Sequence, residues 1–106
     1  MKLTIFLLLM AKPEWLSLDR AERAEIADKA LGAAFGDGTV TFRFFDAEAF
    51  NARVSDVAVI EADTPQAYYF AMERLRDTPL LANPYYEIVE IVPAYEDGYR
   101  EFENAN

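Results

Sequence analysis

No cysteine and no histidine occur among the 106 residues. That excludes disulfides, zinc sites built on thiolate or imidazole, haem ligation through His or Cys, and every catalytic scheme needing a Cys nucleophile or a His base. Serine is almost as scarce: Ser17 and Ser55 stand alone, and a nucleophile at either lacks its usual base. Basic residues are outnumbered, ten Lys and Arg against nineteen Asp and Glu, so a net charge of −9 repels a phosphate backbone and excludes nucleic acid as a partner. The longest apolar run, Leu3 to Met10, falls far short of the roughly 18 residues that cross a bilayer, so no membrane partner is expected. It reads as a buried first strand rather than a secretory leader, since Lys2 is the only charge before it and Lys12-Pro13-Glu14 is a poor cleavage site. The expected location is cytoplasmic.

What is present organises into one domain, residues 1–106. Pro13 breaks the first strand, and Asp19 with Glu22 offers a capping box for a helix whose apolar positions Ile26, Ala27, Ala30, Leu31, Ala34 and Phe35 recur at helical spacing. Gly36-Asp37-Gly38 ends it through the left-handed conformation that glycine accepts. Residues 39–46 alternate Val40, Phe42 and Phe44 against Thr41, Arg43 and Phe45, a second strand, and residues 53–62 supply a third as its hairpin partner. Thr64-Pro65 opens a second helix to about Asp77, with Tyr68, Ala71, Met72 and Leu75 in one stripe. Residues 85–92 read as a fourth strand closed by Pro93, followed by a tail whose Tyr95, Tyr99 and Phe102 could pack a short helix despite Gly98.

The order β-α-β-β-α-β is that of an α+β ferredoxin-like plait, an antiparallel four-stranded sheet with both helices on one face. The first strand is apolar at odd and even positions alike, so the face away from the helices is apolar too. Such a face marks an interface, and two sheets meeting through it form a dimeric α+β barrel.

Chemistry must then come from carboxylates, arginines and tyrosines. Arg43 sits mid-strand on the face opposite Phe42 and Phe44, where a guanidinium needs an anion: Asp56, Glu90 or a ligand carboxylate. The plainer alternative is a structural ion pair. Asp56 lies inside an apolar strand and therefore needs a partner or an elevated pKa. Alternation does not decide which glutamate of the fourth strand is buried. Tyr68, Tyr86 and Trp15 could line a pocket for a flat organic molecule, or simply pack the core. No oxygen-ligand motif is present, so neither metal nor cofactor is expected.

Taken together, Pro13-Glu14-Trp15-Leu16, Arg43-Phe44-Phe45-Asp46, Arg53-Val54-Ser55-Asp56 and the run Tyr86 to Pro93 resemble the darcynin family of small bacterial proteins, over nearly the whole chain. The resemblance implies a fold and a kinship, and no reaction. Val57-Ala58-Val59-Ile60 departs from the bulkier aromatic residues of other members. The plait with a bare face is also, by analogy of fold, that of dimeric α+β barrel enzymes working without a cofactor. The expectation is a homodimer that binds a small aromatic or carboxylated molecule, with Arg43 as anchor and Asp56 or Glu90 as partner. The alternative is a structural or regulatory interaction module without a cavity.

Overall fold

A computed structural model describes residues 1–81 and 83–105. The elements are β1 (Leu3–Ala11), α1 (Pro13–Leu16), α2 (Arg20–Phe35), β2 (Val40–Asp46), β3 (Asp56–Ala62), α3 (Pro65–Arg76), β4 (Tyr86–Tyr95) and α4 (Gly98–Ala105). The strands form one antiparallel sheet in the order β2-β3-β1-β4, with the most apolar strand, β1, paired on both sides. This is the ferredoxin-like α+β plait that the element order predicts.

Local chemistry sets the boundaries. Asp19 accepts from the Glu22 backbone N–H at 2.8 Å and Glu22 accepts from that of Asp19 at 3.2 Å, the capping box foreseen for α2. Thr64 caps α3 by accepting from the Ala67 N–H, and Pro65 occupies the first helical position. Arg74 of α3 donates through Nε and Nη2 to the Ala34 carbonyl at 3.1 and 2.9 Å, so one helix satisfies an orphan carbonyl of the other. The same guanidinium makes a 3.3 Å ion pair with Asp37.

Register sorts each strand into two faces. Toward the helices point Leu3, Ile5, Leu7 and Leu9 of β1 with Ala58, Ile60 and Ala62 of β3, which pack with Ala34, Ala71, Met72 and Leu75 into the core. The opposite face presents Thr4, Phe6, Leu8 and Met10, flanked by Val57, Val59 and Glu61 on β3, Thr41, Arg43 and Phe45 on β2, and Glu87, Glu90, Val92 and Ala94 on β4. No helix covers it.

Four expectations change. Gly36 keeps a right-handed conformation at the end of α2, and the left-handed position falls two residues on at Gly38, φ 79°. Pro93 does not close β4, which pairs with β1 as far as Tyr95; β4 is an edge strand, where a residue without an N–H breaks no ladder on its outer side. Gly98 begins the last helix rather than weakening it. The third strand starts at Asp56 because Asn51 Oδ1 accepts from the backbone N–H groups of Arg53 and Val54, drawing them into a turn. Pro13 ends the first strand as expected, β1 stopping at Ala11, and in addition opens a one-turn helix, α1, which carries Trp15 and has no counterpart in the sequence reading.

Candidate functional site

Between the helices and the lower half of the sheet lies a cavity of about 220 Å³. Its walls are almost wholly apolar: Leu7 and Leu9 from β1, Phe42 and Phe44 from β2, Leu31 from α2, Leu75 from α3, with Trp15 and Tyr86 at one side. Small residues make room for it, since Ala27 of α2 lines it and Ala58 separates Phe44 from Leu7 in the sheet. Trp15 is held as a wall by its neighbours, with ring centroids 5.3 Å from both Tyr85 and Tyr86, edge-on to the first. Arg23 of α2 fixes the turn carrying it, donating from Nε to the Trp15 carbonyl at 3.1 Å and from Nη2 to that of Leu16 at 2.8 Å.

Polar groups gather along one border. In the next cross-strand row Asp46, Asp56 and Leu9 stand side by side on the helix face, one row from Phe44 and Leu7. Asp56 is 5% exposed. Its Oδ2 accepts from Ser55 Oγ at 2.7 Å, and that hydroxyl oxygen accepts from the Ala11 backbone N–H at 2.7 Å, so the side chain is tied to the end of β1. Carboxylate oxygens of Asp46, Glu48 and Asp56 lie within 4.8 Å of one another. Burial, opposed by the Ser55 hydrogen bond and reinforced by the hydrogen bond and charge of Asp46 and by the charge of Glu48, pushes Asp56 up to about 6. Burial first, then the carboxylates of Asp56 and Asp46, raises the Tyr86 phenol, which remains protonated. The border therefore offers a buried carboxyl that exchanges a proton near neutrality next to a neutral phenol, a donor and acceptor pair beside an apolar hole.

The residues foreseen from sequence divide into three groups. Trp15 and Tyr86 line the cavity; Asp56 does not line it but stands opposite the lining residue Leu9, in the row beyond Phe44 and Leu7 on the same face. Arg43 and Glu90 lie on the uncovered face: Arg43 is opposite Val59 with its guanidinium 5.1 Å from the Phe45 ring centre, and Glu90 is opposite Leu8 on the far side of the sheet. Arg43 therefore meets neither Asp56, which points the other way, nor Glu90, which is three strands distant, within one chain. Tyr68 is half-buried against the core but does not line the cavity, and burial raises its phenol. Asp46, the last residue of β2, is put by register beside Asp56 across a hairpin. The convergence of Asp46, Glu48 and Asp56 is the feature that sequence reasoning missed, and the acidic residues flanking the β2–β3 connection were its only trace.

Fold and site together define a class: ferredoxin-like α+β chains with a small apolar cavity under the helices and the other sheet face uncovered. Within that class the chain belongs to the darcynin family, whose model, described as "Darcynin, domain of unknown function", matches residues 1–105. The darcynin of Chromobacterium violaceum is 52% identical over 64 residues, covering 60% of this chain and 81% of that protein. Darcynin 1 of Acinetobacter baumannii is 42% identical over 90 residues, covering 84% of this chain and all of that protein. Among solved structures, a protein described as a novel heme-binding protein from Thermus thermophilus superposes with a TM-score of 0.75 at 15% identity, over 96% of this chain and 44% of that one. Chlorite dismutase from Candidatus Nitrospira defluvii does so at 0.73 and 9% identity, over 99% of this chain and 48% of that one. The chain thus spans less than half the length of these structures, and at such identity the likeness is one of fold. Among the described residues no helix is long and apolar enough to cross a membrane.

Proposed function

We propose that this protein is a homodimer that binds a small, largely apolar molecule of one or two rings in the cavity walled by Trp15 and Tyr86, with Asp56 meeting a polar group of the ligand. The observation that carries the reading is the cavity of about 220 Å³ itself. An apolar engineered cavity of roughly 150 Å³ takes up benzene or xenon, so this larger one suits a molecule of one or two rings. Three carboxylates at the border oppose an anionic ligand, which turns the expectation of a carboxylated molecule toward a neutral or hydroxyl-bearing one. Whether the ligand is turned over rests on Asp56, which is poised to give or take a proton. Toluene as probe, followed by amide and methyl NMR shifts, is expected to saturate with shifts confined to Leu7, Leu31, Phe44 and Leu75. Uniform or absent shifts would remove the cavity as a binding site and leave the interaction-module reading.

Haem, which the name of one structural relative brings in, does not suit these residues. The chain has no His or Cys to hold iron, the one tyrosine of the cavity is biased toward its neutral phenol, and the volume is that of one or two rings.

Dimerisation rests on the uncovered sheet face, where Phe6, Leu8, Val57, Val59 and Val92 form a continuous apolar field. That the chain matches less than half of its structural relatives' length agrees with two copies building what one longer chain provides. Light scattering is expected to give a dimer for the parent and a monomer with unchanged circular dichroism for Val59→Arg, whose charge would be buried at the centre of that face. A parent that remains monomeric at high concentration would contradict the reading.

A further inference from the structure

An apolar cavity selects by size; selection by chemistry needs a polar atom on its wall. Among the described residues that line this one, Trp15 and Tyr86 alone carry a polar side-chain atom. The indole N–H of Trp15 can only donate, whereas the Tyr86 hydroxyl donates or accepts according to where its own hydrogen goes.

Register and ring geometry locate that hydroxyl. Phe44 and Tyr86 belong to opposite edge strands, which the usual strand spacing puts about 14 Å apart. Their ring centroids nevertheless lie 6.2 Å from each other, in an edge contact, so both side chains lean inward over β3 and β1. They also start from different rows. Phe44 shares its row with Ala58 and Leu7, Tyr86 is paired with Ala11, and the row between holds Asp56 and Leu9. The contact of the two rings therefore passes over Asp56, whose carboxyl acts on the Tyr86 hydroxyl by charge and by a side-chain hydrogen bond. Both residues are buried.

Resting on the ligand-binding reading above, we infer that the ligand meets Asp56 through Tyr86: the Tyr86 hydrogen is committed to the Asp56 carboxyl, its oxygen is offered to the cavity as an acceptor, and the site selects a ring bearing a neutral hydrogen-bond donor, a phenol-type hydroxyl. The direction of the bond follows from the groups around Asp56. Ser55 Oγ accepts from the Ala11 backbone N–H and donates to Asp56 Oδ2, which fixes the carboxyl at the end of β1 as an acceptor. An ionised Asp56 can only accept, so the hydrogen between it and Tyr86 is the tyrosine's. When Asp56 carries a proton, its hydrogen bond with the Asp46 carboxylate takes it, and Tyr86 still donates. Burial and the two nearby carboxylates keep the Tyr86 hydroxyl protonated, and the same charges refuse an ionised ligand.

Three one-ring probes read this polarity at neutral pH: phenol, which can donate, benzonitrile, which only accepts, and toluene, which does neither. Dissociation constants are taken by NMR titration of the full-length parent, Tyr86→Phe and Asp56→Ala. Tyr86→Phe keeps the ring and so the wall; it is expected to weaken phenol about tenfold and to leave toluene and benzonitrile within about twofold of the parent. In Asp56→Ala the released Tyr86 hydrogen turns to the cavity, and benzonitrile is expected to tighten about fivefold relative to toluene. Phenol binding that Tyr86→Phe leaves unchanged removes Tyr86 from the contact, and equal losses of phenol and benzonitrile reverse its polarity; either overturns the inference while toluene binding leaves the cavity standing. An Asp56→Ala protein with the parent's order of preference overturns the commitment of the hydrogen to Asp56. A parent that binds none of the three overturns the cavity reading and this inference with it.

Discussion

Replacing Trp15 with alanine is expected to lower the stability of the fold by about 3–5 kcal/mol and to abolish toluene binding in the cavity. The indole is 8% exposed and closes one side of the cavity against Tyr85 and Tyr86. Its loss removes both rings' partner and enlarges a hole that the core already tolerates, so collapse is hindered by the sheet beneath, where Leu7 and Leu9 are fixed by pairing on both sides of β1. Urea unfolding followed by circular dichroism measures the cost; ring-to-methyl NMR contacts with toluene measure the binding. Trp15→Phe keeps most of the wall and is expected to retain binding with a cost of about 1–2 kcal/mol. A Trp15→Ala protein that lost less than about 1 kcal/mol and bound toluene as before would show that the wall is made elsewhere.

The second large effect concerns Asp56. In the unfolded chain its pKa is near 3.8 and in the fold it is pushed up to about 6, so the native state binds the proton more tightly. The stabilisation this provides is complete below pH 3.8 and is lost as pH rises through about 6. At most it amounts to about 3 kcal/mol, at roughly 1.4 kcal/mol per pKa unit. Asp56→Asn has the shape of the protonated acid: its carbonyl can accept from Ser55 and its amide can donate to Asp46, without a charge to desolvate. The variant is therefore expected to equal the parent below pH 4, to exceed it by about 2–3 kcal/mol at pH 7.5, and to show a flat profile between the two. Denaturation midpoints at several pH values decide it. An asparagine variant less stable than the parent at pH 7.5 would mean that the fold favours the charged carboxylate rather than the protonated acid, contrary to the upward shift.

These effects bear on function in the same way. A carboxyl kept in the fold at a stability cost near neutral pH, beside an apolar cavity, is the arrangement by which binding sites retain groups that a purely structural protein would lose. In the proposed site the apolar walls would provide affinity without direction and Asp56 would supply direction, which is how small pockets select among ligands of one size.

Much of this molecule was legible before any coordinates. Two helices, four strands and their order follow from periodicity, capping residues and proline, because each signal acts over a few residues: Asp19 with Glu22, Thr64 with Pro65, and the alternation through residues 39–46. The uncovered apolar face was equally legible, since β1 is apolar on both sides of its pleat and helices can cover one side only. The need of Asp56 for a partner was visible as a carboxyl within an apolar strand; Ser55 and Asp46 supply it.

What the tertiary structure decided was which distant residues meet. Arg43 and Asp56 both read as strand residues of opposite charge, and sequence chemistry paired them; register sends them to opposite faces, because a shift of one residue reverses every side chain of a strand. The same register places Asp46 beside Asp56 and makes a carboxyl cluster out of residues ten apart in the chain. The cavity too depends on a count no local pattern contains: two helices crossing four strands leave a volume set by Ala27 and Ala58 as much as by the large side chains around them. Local interactions act over one turn or one pleat and are written in the order of residues, whereas faces, cavities and paired acids arise from packing between segments, and that is settled only when the sheet closes over its helices.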